Sequence, residues 1–238
     1  MGSMTPTWQS AATRLVSDLR SVFSDRLLSV VAYGPHVEGN SQEPLACLAL
    51  VTELTIADLD GCASHAAKWH RAGVATPLIL PQTEFVRSLD AFPLEYGEIL
   101  RAHQRVHGDD PFDGVAIVRE DLRRACETQI KSHLVHLREG FIETGGRPGA
   151  VGELVSSSAP AFTALLRHVA WLNGGSHRDR LEATRDGARA ASVDERLVSD
   201  MLALEARATV PTSDPARLFP AYLTALEQMA RAVDAWRS

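Results

Sequence analysis

This chain of 238 residues has only three cysteines. Cys47, Cys62 and Cys126 are odd in number, far apart and each set among apolar neighbours. That pattern points away from a disulfide framework and toward buried free thiols in a reducing, cytoplasmic setting. No run approaches the ~20 apolar residues of a membrane span, and no secretory leader pattern is present, so no membrane association is expected. Positive charge is also in deficit. The 24 Lys and Arg stand against 30 Asp and Glu, a formal net charge of −6, so a nucleic-acid partner is not expected. Ser156, Ser157 and Ser158 lack a G-x-S-x-G elbow, and the glycines at 34 and 39 lack the lysine and Ser/Thr of a phosphate-binding Walker loop. The absence with the largest consequence is local: no carboxylate lies between Glu43 and Glu53.

What is present supports a folded chain. The 45% hydrophobic and 23% charged residues suit a globular protein of one large or two small domains. The opening Met1-Gly2-Ser3-Met4 reads as a cloning scar and stays outside the fold reading. Leu28–Tyr33 is a short apolar run centred on Val30 and Val31 and stopped by Gly34-Pro35. Leu45–Val51 is a second such run. Their length and turn punctuation predict strands, and their unbroken hydrophobicity predicts a sheet covered on both faces. Gly34 and Gly39 bracket a tight polar loop where backbone can approach a ligand.

Strand, glycine turn, second glycine and strand together resemble the nucleotidyltransferase superfamily, with its DNA polymerase beta-like fold. In that family the turn is Gly-Ser and the second strand begins with two alternating aspartates. Here Gly34-Pro35 stands at the turn, Gly39 matches the second glycine, and Pro44 to Leu48 occupy the aspartate positions. The segment FPLEYGEILRAHQRVHGDDPFDG is similar to one in uncharacterised bacterial proteins with nucleotidyltransferase domains, so the likeness extends over most of residues 27–143. The resemblance implies an α+β chain: a nucleotidyltransferase-like mixed sheet flanked by helices over residues 5–115, then an all-α helical bundle over 118–238.

It also implies what chemistry is lost. Nucleotidyl transfer uses two carboxylates on one strand face to hold a pair of Mg²⁺ ions roughly 3.5–4 Å apart. Leucine and cysteine do not hold Mg²⁺, which takes hard oxygen ligands. Proline for serine removes a hydroxyl and an N–H from the turn. The family's third carboxylate comes from a later strand, and Glu95, or less well Glu98, matches it.

The rest of the chain reads as follows. Trp8–Arg26 has a helical stripe, and Thr55 with Asp58 has capping-box spacing for a helix reaching Arg71 and stopped by Gly73. Asp58 and Asp60 lie about 200° apart around such a helix and read as a cap and a solvated residue. Thr76–Leu80 is a strand, Thr83–Leu89 a short helix capped by Thr83, Phe92–Ile99 an alternating strand, and His103–Phe112 an edge strand and turn. Beyond a boundary at 113–118 come helices from Val118 to Gly145, Val151 to Leu172 with a break or kink at Pro160, Arg178 to Ala190, Val193 to Ala206 capped by Ser192, and Asp214 to Trp236.

Three candidate constellations follow. His133 and His136 sit three apart on a helix, but no further ligand completes a metal set, so a partly buried, hydrogen-bonded His133 is expected. Arg123, Arg124, Lys131 and Arg138 line one helix; their spacing suits a solvated face, while the resemblance assigns Lys131 and Arg138 to a triphosphate. Gly34, Pro35 and Gly39 complete the nucleotide-binding candidates. The expected function is a nucleotidyltransferase-like protein with a decayed site, acting through a nucleoside triphosphate, a partner chain or both, with no cofactor. A transferase with a metal site rebuilt from Glu43, Glu95 and Glu98, then using Mg²⁺, is the enzymatic alternative. An interaction module, homodimeric or bound to another protein and without a small ligand, is the third.

Overall fold

The computed structural model describes residues 8–37, 43–175, 179–206 and 214–236. The chain divides into two compact units, Met1–Ile117 and Val118–Ser238.

In the first unit, helix α1 (Trp8–Phe23) ends in a 3-10 turn, Ser24–Arg26, and feeds strand β1 (Leu27–Tyr33). Strand β2 (Ala46–Val51), helix α2 (Ile56–Arg71), strand β3 (Leu78–Pro81), helices α3 (Gln82–Arg87) and α4 (Pro93–Arg101) and strand β4 (His103–Gly108) follow. The sheet order is β3-β2-β1-β4, with β1 antiparallel to β2 and β4 and β2 parallel to β3. Both faces are covered, as the unbroken apolar strands required. Cys47, Ala49 and Val51 face Leu15, Leu19 and Phe23 of α1 and Cys62 and Trp69 of α2. Val31, Leu48 and Leu50 face Phe85, Tyr96, Ile99 and Phe112.

Local chemistry fixes the entry to α2. The Thr55 hydroxyl accepts from the Asp58 N–H while the Asp58 carboxylate accepts from the Thr55 N–H at 2.9 Å. Asp58 is buried rather than solvated, because Arg26 forks onto both its oxygens at 2.8 and 2.6 Å. That guanidinium leads the effects that hold the Asp58 carboxyl far below its ordinary range. Asp18 is a second buried acid, taken up by Lys68 at 2.6 Å and the Trp69 indole at 3.0 Å.

Several local expectations need correction. Residues Phe92–Ile99 are not a strand: Pro93–Arg101 is helix α4, with Pro93 in its first turn. Leu94 and Tyr96 alternate with polar residues, but Tyr96 and Ile99 are buried at helical spacing and Glu95 and Glu98 are both exposed. Pro81, not Thr83, precedes the first turn of α3, and β3 begins at Leu78 rather than Thr76.

The second unit is helical: α5 (Arg119–Glu143), α6 (Pro148–Leu172), α7 (Arg180–Ala190), α8 (Glu195–Glu205), a 3-10 turn Pro215–Leu218, and α9 (Phe219–Ala235). Helix α6 is central, packing on α5, α7, α8 and α9. It runs through Pro160 without the expected break; its buried residues recur along its whole length, and packing on four neighbours outweighs one lost backbone bond. Gly187 lets α7 approach closely, since a Cβ there would lie 1.8 Å from the Leu166 carbonyl oxygen. The cap of α8 is Asp194, whose carboxylate accepts from the N–H groups of Arg196 and Leu197; Ser192 instead has φ +54° in the turn before it. Asp214 caps the 3-10 turn, so the last helix starts later than expected. Arg178 lies outside the described residues. The three thiols are buried and unpaired.

Candidate functional site

The expected site lies where β1 ends at Gly34. Gly34 has φ +78°, and the Val37 N–H donates to its carbonyl at 3.0 Å, a β-turn with Pro35 at its second position. His36 Nε2 donates to the Glu43 carbonyl, drawing the turn against the residues before β2. Gly39 lies outside the described residues.

Cross-strand register builds rows beside this turn. Ala46, Tyr33 and His103 pair across β2, β1 and β4, and Leu48, Val31 and Arg105 form the next row. Directly paired residues share a face, so Ala46 and Leu48 are the alternating positions at the start of β2 on one face. Leu48 is 1% exposed beneath Phe85, Tyr96, Ile99 and Phe112. The Phe85 ring meets Tyr96 edge-on at 5.1 Å and Phe112 at 5.4 Å, and the Tyr96 hydroxyl shares a 2.8 Å hydrogen bond with Ser88 Oγ. The alternate positions, Leu45 and Cys47, belong to the opposite core, and burial pushes the Cys47 thiol up to about 12. Neither face of β2 offers oxygen, so a pair of Mg²⁺ ions does not fit this strand.

The other acidic candidates lie off this strand. Glu43 is exposed ahead of β2, and Glu95 and Glu98 project from α4. Burial, followed by the Cys47 thiol and the charge of Glu98, raises the Tyr33 phenol, which stays protonated at neutral pH. Among the described residues, no three His, Cys, Asp or Glu side chains gather as metal ligands would.

In the helical unit, Lys131 is paired with Glu127 at 2.5 Å and Asp234 at 3.4 Å, and Arg138 with Glu227 at 2.8 Å. Arg123 is held by Glu120 and Glu127, and Arg124 by Asp121. Each of these cations already has a carboxylate. His133 Nε2 meets the Tyr222 hydroxyl at 2.5 Å, while His136 faces Glu139. Ser157 and Ser158 donate back to α6 carbonyls.

Sequence reasoning passed over His103 and Arg105. His103 is clasped on both sides, with Nδ1 3.0 Å from the Ile99 carbonyl and Nε2 3.0 Å from Asp110. Asp110 also accepts from the Phe112 N–H. Arg105 is exposed. An edge strand was legible there, but its register against β1 was not.

Among solved structures, that of spectinomycin adenyltransferase from Enterococcus faecialis, with ATP and spectinomycin, superposes with a TM-score of 0.57. The match covers 93% of this chain and 100% of that one, at 12% identity. The fold is nucleotidyltransferase-like. No protein-family profile matches the chain, and no curated protein does. In this chain the second strand of that fold begins with Ala46, Cys47 and Leu48. No helix among the described residues is long and apolar enough to cross a membrane.

Proposed function

We propose that this nucleotidyltransferase-like protein is catalytically degenerate and acts by binding, with a nucleoside triphosphate, a partner chain or both as its ligand. The observation that carries the reading is Leu48, which sits under an aromatic cluster at a position where the fold would present a metal-binding carboxylate. Removing the metal pair removes the groups that neutralise a triphosphate and activate the attacking oxygen. The Gly34–Val37 turn is partly exposed, with Val37 packed on the core opposite Leu48, and is the place for a nucleotide to meet the chain. Unpaired thiols fit a cytoplasmic protein.

Titrating ATP, GTP, CTP and UTP by calorimetry, with and without Mg²⁺, and assaying pyrophosphate in parallel tests the reading. Binding of a nucleotide or a protein without turnover is expected. Mg²⁺-dependent pyrophosphate release would overturn it and favour a site rebuilt from Glu43, Glu95 and Glu98. A module that binds protein alone is the second reading, and the filled face over Leu48 and Leu50 is what favours it.

A further inference from the structure

The end of α4 and the turn after β4 meet at one imidazole. His103 Nδ1 lies 3.0 Å from the Ile99 carbonyl and 3.2 Å from that of Leu100, while Nε2 lies 3.1 and 3.0 Å from the two Asp110 oxygens. Carbonyls and an ionised carboxylate only accept hydrogen bonds, so both ring nitrogens must donate. A neutral imidazole carries one N–H and satisfies one side; the imidazolium satisfies both. We propose that His103 is a pH-sensitive latch: protonated on both nitrogens it fastens α4 and the Asp110 turn over the sheet, and on giving up a proton it releases one of the two.

Three further observations support the latch. The carbonyls it holds lie in the C-terminal turn of α4, where the helix dipole favours a cation. The ring is 13% exposed and tilted against Phe112 at 4.9 Å, which limits the access of water to replace a lost bond. Asp110 also accepts from the Phe112 N–H at 2.9 Å, so the same carboxylate ties the ring to the aromatic cluster. Tyr96 and Ile99 of α4 belong to that cluster above Leu48, so both sides of the latch hold the cover of β2. Burial would raise the Asp110 carboxyl, but the bonds from His103 and the Phe112 N–H outweigh it and hold it below its ordinary range. Of the other titratable and charged groups, Tyr33 pairs with His103 from β1, Glu98 and Arg101 lie on α4, Arg105 on β4 and Asp109 in the turn. His107 pairs with Val30 of the core on the α1 side. The latch is complete while Asp110 is ionised and His103 protonated, from about pH 4 to about pH 6, and loosens as pH rises toward about 8.

The test is amide hydrogen exchange on the full chain from about pH 6 to about pH 8.5, expressed as protection factors, with the His103 ring nitrogens followed by NMR in the same samples. In wild type, protection at Ala102 and Phe112 is expected to fall about fivefold or more as the ring goes from two N–H groups to one, while Ile130 and Leu137 of α5 hold constant. Asp110→Asn offers Nε2 a group that can donate to it, so the neutral ring keeps both contacts and the profile is expected to be flat. His103→Gln does not titrate and is expected to be flat too, with less protection than wild type at the acid end. Constant wild-type protection across the range, a fall shared by Ile130 and Leu137, or a wild-type slope retained in either variant overturns the latch. Should neither variant fold, the wild-type ring titration set against protection at Ala102 and Phe112 decides alone.

Discussion

Replacing Leu48 separates a packed strand from a vacated metal site. The side chain is 1% exposed, enclosed by Phe85, Tyr96, Ile99 and Phe112. Truncation at such a site costs about 2–5 kcal/mol, the transfer energy plus that of the cavity left behind. Taking about 3 kcal/mol and a urea slope near 1.5 kcal/mol per molar, Leu48→Ala should lower the unfolding midpoint of the first unit by roughly 2 M. Leu48→Asp places an unpaired carboxylate in the same hydrocarbon, and its cost should exceed ~4 kcal/mol. Against a typical total of about 5–15 kcal/mol, that approaches loss of folding. Buried Trp69 reports this unit by fluorescence in a background where Trp171 and Trp236 of the second unit are replaced by Phe, with far-UV circular dichroism as the second probe. A midpoint shift below about 0.5 M for Leu48→Ala, or a Leu48→Asp protein that melts like wild type and is stabilised by Mg²⁺, would refute the packed-face argument.

Asp58 has its carboxyl held below the ordinary range, so its contribution is complete above about pH 4 and is lost as pH falls further. Asp58→Asn should therefore lower the melting temperature at pH 7 and flatten the acid limb of an unfolding profile; equal acid sensitivity in the variant would contradict this. Gly108 has φ +69°, and a Cβ there would lie 1.8 Å from the Leu28 carbonyl oxygen. Gly108→Ala should destabilise the first unit by about 2 kcal/mol or more, measured by urea unfolding, and a neutral result would refute the β1–β4 register. His133 is depressed by burial and by His136, so it favours folding above about pH 6.5 and opposes it as pH falls below. The helical unit should soften as pH falls below about 6.5 in wild type, and His133→Gln should lessen that slope in pH-dependent thermal unfolding.

The sheet was legible because its signals are local. Apolar runs of strand length ended at Gly34-Pro35 and at Glu53, and Thr55 with Asp58 announced the helix that follows. Helix α5 was equally readable from the spacing of Leu122, Cys126, Ile130 and Leu137. Helix α4 was not, because over five residues Phe92, Leu94 and Tyr96 keep a period of two, and only the burial of Tyr96 with Ile99 reveals the helical face. The cap of α8 was missed because Ser192 and Asp194 are both acceptable caps, and only the left-handed Ser192 backbone decides between them. Register decides the site, and register is set by long-range pairing. Nothing in residues 103–108 announces that Arg105 would share a row with Val31 and Leu48. Charge partners are hidden for the same reason: Lys131 looked available until α9 brought Asp234 to it.

Paramagnetic broadening by Mn²⁺, read on the amide resonances of Tyr33, Gly34 and Ala46 to Leu48 with no nucleotide present, tests the central claim most directly. Signals that keep their intensity as Mn²⁺ is added are the expected result, since this end of β2 presents methyl groups and a protonated thiol. Selective, saturable loss of those signals would place a protein-bound metal at the strand and contradict the account.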